Sequence, residues 1–194
     1  MTLIFATNNK NKVAEVQAAV GNSFTLVTLQ DAGIDIDIPE PHDTLEANAT
    51  EKSTTIYKLT GTNCFSEDTG LEVEALNGAP GVKSARYAGV DKDFKANVDL
   101  LLANMQQQQN RKARFRTIIS LILDGQEILF EGICEGTIGT KPVGEKGFGY
   151  DPVFTPRGAD KTFAEMTLSE KNIYSHRRIA TDQLIAFLQT HLNK

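Results

Sequence analysis

Two adjacent carboxylates, Glu67 and Asp68, follow a short apolar stretch and precede Thr69 and Gly70. Charge beside a buried strand is disfavoured unless it is paired or bound to a metal. Mg²⁺ binds one or two carboxylates together with waters and phosphate oxygens, and glycine permits a sharp turn. We therefore predict that residues 67–70 form an acidic turn with metal chemistry. Taken alone, such a turn is equally typical of an ordinary strand end.

A polar segment near the N-terminus carries amides and two lysines between a predicted strand and a predicted helix. Its residues are Thr7, Asn8, Asn9, Lys10, Asn11 and Lys12. Such a loop presents free backbone N–H groups and the positive end of a helix, which favour phosphate oxygens. The segment lacks the Gly-x-x-x-x-Gly-Lys spacing of a Walker A loop, and a solvated loop with surface lysines would look the same.

A third carboxylate, Glu40, lies between Pro39 and Pro41, and the helix that follows carries Lys52. Considered singly, each of these residues is more typical of a solvated surface. Only in combination with the acidic turn and the polar loop do they indicate a functional site.

A glycine-flanked aromatic occurs in the stretch Gly147, Phe148, Gly149, Tyr150, Asp151 and Pro152. Flanking glycines let a flat ligand approach the backbone, and Phe148 could stack on a base. Asp151 could accept a hydrogen bond from a ring N–H. A turn that packs an aromatic side chain would have the same composition.

Basic residues come late in the chain: Lys171, and then His176, Arg177 and Arg178. Ser175 is a suitable N-cap, so His176 and Arg177 fall in the first turn of a predicted helix. Cations there oppose the helix dipole, so this placement favours a functional role over a stabilising one.

The elements that position these residues alternate in type along the chain. Predicted strands cover residues 2–6, 24–29, 63–66, 114–123 and 126–130. Predicted helices follow the polar loop as far as Gly21, begin at a capping box formed by Asp43 and Glu46, and cover 94–105 and the region after 175. Asp124 and Gly125 predict a two-residue hairpin. The pattern indicates an α/β fold with a mixed sheet and flanking helices.

Composition narrows the class of protein. The chain has 194 residues and a net charge of −5, which suits one domain or two lobes with a shared core and disfavours duplex nucleic acid as a partner. The chain shows no signal-peptide pattern and no apolar run of the roughly 20 residues that span a membrane. Cys64 and Cys134 are expected to be buried free thiols, and the location is expected to be cytoplasmic.

Taken together, these segments resemble the inosine/xanthosine triphosphate pyrophosphatases, also called the Ham1-like family. The matching stretches, in the family's order, are residues 6–12, 67–71, 78–82 with 84–87, 147–152 and 175–177. Each stretch is weak alone, whereas the ordered set is highly specific and covers nearly the whole chain.

The resemblance implies an elongated mixed sheet with flanking helices, as two lobes around a central nucleotide cleft, and a homodimer. It implies Mg²⁺-dependent hydrolysis of ITP, dITP and XTP to the monophosphate and pyrophosphate. Residues 7–12 match the triphosphate loop, and Asp68 matches the catalytic base and metal-associated carboxylate. Glu40 matches a second metal carboxylate. The matched substrate-binding positions are Thr69, Phe148, Gly149, Tyr150, Asp151, Lys171, His176 and Arg177.

The chain departs from the family at Ala47, where many relatives have Glu, and Glu46 lies one position earlier. Either Glu40 or Glu46 could complete the metal site. On these residues we predict that Asp68, with Glu67 as a helper, activates a water, while Lys10, Lys12, Lys52 and Lys171 neutralise the triphosphate. A related pyrophosphatase with another base preference, or a non-catalytic nucleotide-binding module, are the alternatives.

Overall fold

The structure is a computed structural model, which describes residues 1–192 and separates into two compact units. The first unit contains Met1–Asp68, Thr117–Gly132 and the chain from Arg177 onward. The second unit contains Thr69–Arg116 and Ile133–His176. The chain therefore passes between the units several times, and each unit has its own hydrophobic core.

The described residues form one mixed sheet, as the sequence predicted, but it has seven strands where the sequence predicted five. The seven strands are β1 Thr2–Phe5, β2 Thr25–Thr28, β3 Cys64–Val73, β4 Pro80–Gly81, β5 Lys112–Leu123, β6 Gln126–Ile138 and β7 Phe154–Pro156. Their hydrogen-bonded order is β2-β1-β3-β5-β6-β7, and β4 pairs with β3. β1 runs parallel to β2 and β3, whereas β4 and β7 are antiparallel to their neighbours β3 and β6.

Five α-helices accompany the strands in the described part of the chain: α1 Lys10–Val20, α2 Leu45–Thr60, α3 Phe94–Asn104, α4 Leu168–Lys171 and α5 His176–Leu192. The end of α1 at Gly21 is confirmed. The predicted start of α2 at Asp43 is wrong by one residue. Thr44 is the N-cap, because its hydroxyl accepts the backbone N–H of Ala47 at 3.2 Å. No helix among the described residues is both long and apolar enough to cross a membrane.

The predicted acidic turn at residues 67–70 is wrong, because these residues lie inside the ten-residue strand β3. Glu67 and Asp68 are both buried there, with 1% and 7% of their surface exposed. Gly70 is needed because β3 and β4 come very close together at this position, and not because the chain turns there. A Cβ at this position would lie 2.6 Å from the carbonyl oxygen of Gly81 on the paired strand β4.

The hairpin at Asp124 and Gly125 is confirmed, with φ values of 51° and 82° that suit a two-residue turn. Strand β6 runs on to Ile138, well beyond the predicted end at Phe130.

Aromatic residues organise both cores. In the first unit, Phe5 on β1 stacks on Phe65 on β3 with ring centroids 4.5 Å apart. In the second unit, Phe115 on β5 packs against Phe154 on β7 at 4.7 Å. Cys64 and Cys134 are buried free thiols, as predicted.

Candidate functional site

The N-terminal polar segment is held by its own side chains. Asn9 is the N-cap of α1, and its Oδ1 accepts the backbone N–H groups of Asn11 at 3.0 Å and Lys12 at 3.2 Å. Thr7 Oγ1 accepts the N–H of Asn9, and the Asn8 amide donates to the carbonyl of Ile36. We expected free backbone N–H groups here, but four of them, including that of Thr7, which donates to the Phe5 carbonyl, are satisfied locally. What this segment could still offer to a phosphate is mainly the side chains of Lys10 and Lys12, and that role stays a prediction.

Asp68 and Glu40 share one cation in the first unit. The Lys52 ammonium lies 3.0 Å from Oδ1 of Asp68 and 2.6 Å from Oε1 of Glu40. Strand β3 carries Asp68, helix α2 carries Lys52, and Glu40 comes from the segment before α2. The sequence left Glu40 and Glu46 open as the second carboxylate, and this shared ammonium favours Glu40.

Burial controls the protonation of this cluster. Burial raises the pKa of Asp68 above its usual value, while Lys52 and Lys12 act in the opposite direction. Burial would also lower the pKa of Lys52, but the carboxylates of Asp68 and Glu40 outweigh it, so that pKa is raised. Lys52 therefore stays charged, and Asp68 is a better proton acceptor than an exposed aspartate would be.

The donor set fits a magnesium ion with few protein ligands. No group of three or more histidine, cysteine, aspartate or glutamate side chains suited to a metal occurs among residues 1–192. Two neighbouring carboxylates are nevertheless enough for Mg²⁺, which commonly completes its shell with waters and substrate phosphates. Asp68 and Glu40 are the residues that could hold it.

Asn48 is a residue of this cluster that the sequence reasoning missed. Its side-chain amide donates to the His42 carbonyl at 3.1 Å and accepts the His42 N–H at 3.0 Å, and its Nδ2 lies 3.5 Å from Oδ2 of Asp68. It thus ties the chain just after Glu40 to the region of Asp68. The signal was its position four residues before Lys52, which places both on one face of a helix.

Glu67 contacts a different set of charged side chains from those that its neighbour Asp68 contacts. Its carboxylate accepts two hydrogen bonds from Arg177, at 2.7 and 2.9 Å, and lies 3.0 Å from the Lys12 ammonium. Arg177 also binds Glu15 on α1. Burial would raise the pKa of Glu67, but Arg177 and Lys12 outweigh it and hold that pKa well below its usual range.

These contacts favour a structural role for Glu67 over the helper role in catalysis, because a carboxylate with so low a pKa is a poor proton acceptor. Arg177 was predicted to bind substrate, and in the structure its guanidinium serves Glu67 and Glu15. Glu15 is a second residue that the sequence reasoning missed, because no local pattern links it to Arg177.

The remaining predicted residues lie in the second unit, and Asp151 organises several of them. Its Oδ2 accepts from the Lys171 ammonium at 2.6 Å and from the Phe148 backbone N–H at 3.0 Å. The same ammonium lies 5.3 Å from the centre of the Phe148 ring. We expected Asp151 to accept from a base and Lys171 to face the triphosphate, but here this oxygen and this ammonium bind each other beside the aromatic ring.

The second unit also contains four more of the predicted substrate-binding residues: Thr69, Gly149, Tyr150 and His176. The Tyr150 hydroxyl donates to the Ser84 carbonyl at 2.9 Å, so it holds the loop in place. Gly149 has a φ of 61° beside Phe148, and Thr69 is half-buried on β3. The His176 ring is buried and stacks on Phe115 with centroids 4.6 Å apart. The functional roles predicted for all these residues stay predictions.

Comparison with known proteins adds an independent line of argument. The sequence matches the Ham1 family over residues 3–187. It is 48% identical over 188 residues to the dITP/XTP pyrophosphatase of Flavobacterium johnsoniae, covering 97% of this chain and 98% of that protein. It is 49% identical over 187 residues to the protein of the same name from Porphyromonas gingivalis, covering 96% of each.

Solved structures agree with this relationship. The Staphylococcus aureus Ham1 protein superimposes with a TM-score of 0.89 at 36% identity, covering 98% of this chain and 100% of the other. The dITP/XTP pyrophosphatase of Mycobacterium abscessus gives a TM-score of 0.77 at 40% identity, covering 95% and 98%. The match of both sequence and fold over nearly the whole length shows that this chain belongs to the Ham1 family.

Proposed function

We propose that this chain hydrolyses the non-standard purine nucleoside triphosphates ITP, dITP and XTP to the monophosphate and pyrophosphate, with Mg²⁺. It would thereby cleanse the nucleotide pool. The relatives named dITP/XTP pyrophosphatase, matched over nearly their whole length, support the substrate class. The observation that carries the chemistry is the buried carboxylate of Asp68, which shares the Lys52 ammonium with Glu40.

Asp68 is the proposed base. Its raised pKa lets it take a proton from a water that attacks the α-phosphorus, while the neighbouring ammonium of Lys52 favours the ionised carboxylate. Lys10 and Lys12 at the start of α1 add positive charge toward the triphosphate. A Mg²⁺ ion held by Asp68 and Glu40 would supply charge stabilisation for the phosphate oxygens.

Base recognition is proposed for the second unit. Phe148 offers a stacking face, and the ammonium of Lys171 and the ring of His176 offer donors. Hypoxanthine and xanthine carry a keto oxygen where adenine carries an amino group. Donors aimed at that oxygen would be left unsatisfied by adenine, which disfavours ATP.

The deciding experiment measures pyrophosphate release from ITP, XTP, ATP, dGTP and dTTP, with and without Mg²⁺. We expect rapid Mg²⁺-dependent release from ITP and XTP and slow release from ATP. Preferred hydrolysis of dTTP would instead support a pyrophosphatase with another base preference. Binding of ITP without release of pyrophosphate would support a non-catalytic nucleotide-binding module.

Two further properties are proposed with the activity. A homodimer is expected from the resemblance to the family, and sedimentation equilibrium of the purified protein would test it. The cytoplasm is the proposed location, since the substrates arise in the nucleotide pool there.

A further inference from the structure

Lys52 pairs with both carboxylates that the proposed function assigns to the metal. Its ammonium lies 2.6 Å from Glu40 and 3.0 Å from Asp68, and the side chains of Lys52 and Asp68 are only 8% and 9% exposed. The Lys52 ammonium therefore occupies the side of both carboxylates that a metal ion would need, and Lys12 also acts electrostatically on Asp68. In a cluster largely removed from water, two cations close to the same carboxylates affect each other strongly.

We infer that Lys52 and a divalent metal ion compete for the carboxylates of Glu40 and Asp68. This inference rests on the metal site of the proposed function. An ammonium and a divalent ion repel each other strongly at contact distance in a site of low dielectric, so binding of one weakens binding of the other. Lys52 thus balances the carboxylates until the metal arrives, and metal binding then frees its ammonium for the phosphate oxygens of the nucleotide.

The alternative is that Lys52 is a fixed tether between α2 and β3. A fixed tether would keep both carboxylates in place, and its removal would weaken metal binding. Competition predicts the opposite sign, because removal of the ammonium takes away a positive charge that repels the metal ion. The sign of the change in metal affinity therefore separates the two roles without any measurement of turnover.

The test uses Mn²⁺ as the probe, without nucleotide, at one fixed pH near 8 for all variants. Free Mn²⁺ is followed by its EPR signal in wild type, Lys52→Met and Lys95→Met. Lys95 is the matched control because it pairs with an exposed carboxylate, Asp99, at 2.5 Å, away from Glu40 and Asp68. We expect Lys52→Met to bind Mn²⁺ at least about tenfold more tightly than wild type, and Lys95→Met to match wild type. Equal or weaker binding by folded Lys52→Met would overturn the inference.

A second measurement covers the case in which Lys52→Met does not fold. The ¹⁵N NMR signal of the Lys52 ammonium in wild type, assigned by its absence in Lys52→Arg, is followed while Mg²⁺ and a non-hydrolysable ITP analogue are added to saturation. We expect the signal to shift or broaden as the ammonium leaves the carboxylates. A signal unchanged at saturation contradicts the inference. Hydrolysis of ITP together with such a result would leave the proposed function standing, because neither readout depends on catalysis.

Discussion

The guanidinium of Arg177, at the start of α5, binds the carboxylate of Glu67 on β3 through two hydrogen bonds of 2.7 and 2.9 Å. Lys12 and Glu15 on α1, both partly buried, join this pair, so that two positive and two negative side chains lie together. Because Asp68 follows Glu67 directly on the same strand, this group fixes the backbone from which the candidate base projects. We expect this group to position the site without contributing a reactive group.

Replacement of Glu67 by Gln should therefore destabilise the protein. Loss of one partner from a buried ion pair typically costs about 3–5 kcal/mol, because the other charge stays buried without compensation. The measurement is urea unfolding near pH 7. As the control, Glu135→Gln removes a carboxylate from an exposed pair with Arg157 and should cost less than about 1 kcal/mol.

The same variant should alter the dependence of stability on pH. The folded pKa of Glu67 lies well below its ordinary value of 4.5, so the carboxylate stabilises the fold above that value, and this stability is lost as the pH falls below it. Wild type should therefore lose stability on acidification more steeply than Glu67→Gln. Parallel pH profiles for the two proteins would show that the ion pair is not the cause.

Replacement of Asp68 by Asn should abolish turnover and leave the fold intact. Asn keeps the shape of the side chain but cannot accept a proton, and general-base catalysis contributes about 10²–10⁴-fold. Pyrophosphate release from ITP is the measurement, and circular dichroism checks the fold. Asp99→Asn, on the exposed face of α3, is the control and should keep full activity. Turnover near that of wild type in Asp68→Asn would disprove the assignment of Asp68 as the base.

Replacement of Phe148 by Ala should raise KM for ITP roughly 5- to 150-fold, since stacking of a base on an aromatic ring is worth about 1–3 kcal/mol. Phe148→Tyr keeps the stacking face and should stay near wild type in steady-state kinetics. If Phe148→Ala leaves KM unchanged, the base does not stack on this ring.

Gly147 and Gly149 provide a paired test of the loop around Phe148. Both have positive φ, 73° and 61°, so any side chain strains the backbone at either position. Only at Gly147 would an added Cβ collide with another group. It would lie 2.0 Å from Oδ2 of Asp151, and this oxygen accepts a hydrogen bond from Lys171. Gly147→Ala should therefore cost about 1–3 kcal/mol more than Gly149→Ala in urea unfolding. Equal losses would show that Asp151 moves aside freely.

Both cysteines should resist thiol reagents in the folded protein. Burial raises the pKa of Cys64 and of Cys134 to about 12, so only about one thiol in ten thousand is ionised near pH 8. We expect no reaction with a disulfide reagent in buffer and reaction of both thiols in guanidinium chloride. Rapid labelling of the native protein would mean that one of the thiols is accessible.

Local patterns in the sequence determined the outline of the fold. The helix that ends at Gly21, the hairpin at Asp124 and Gly125, and the alternation of strands and helices all follow from neighbours a few residues apart. Such features depend on backbone conformations that single residue types favour. The ordered motifs likewise pointed to the Ham1 family before any contact was known.

Only the tertiary structure decided what Glu67 and Asp68 do. The sequence placed them in a turn because two adjacent charges rarely lie inside a buried strand. The fold brings Arg177 and Lys12 to Glu67 and brings Lys52 to Asp68, from positions up to 110 residues away. Successive side chains of a strand point to opposite faces, so the two carboxylates meet different partners. Burial and these partners then move their pKa values in opposite directions, which no property of the dipeptide itself could reveal.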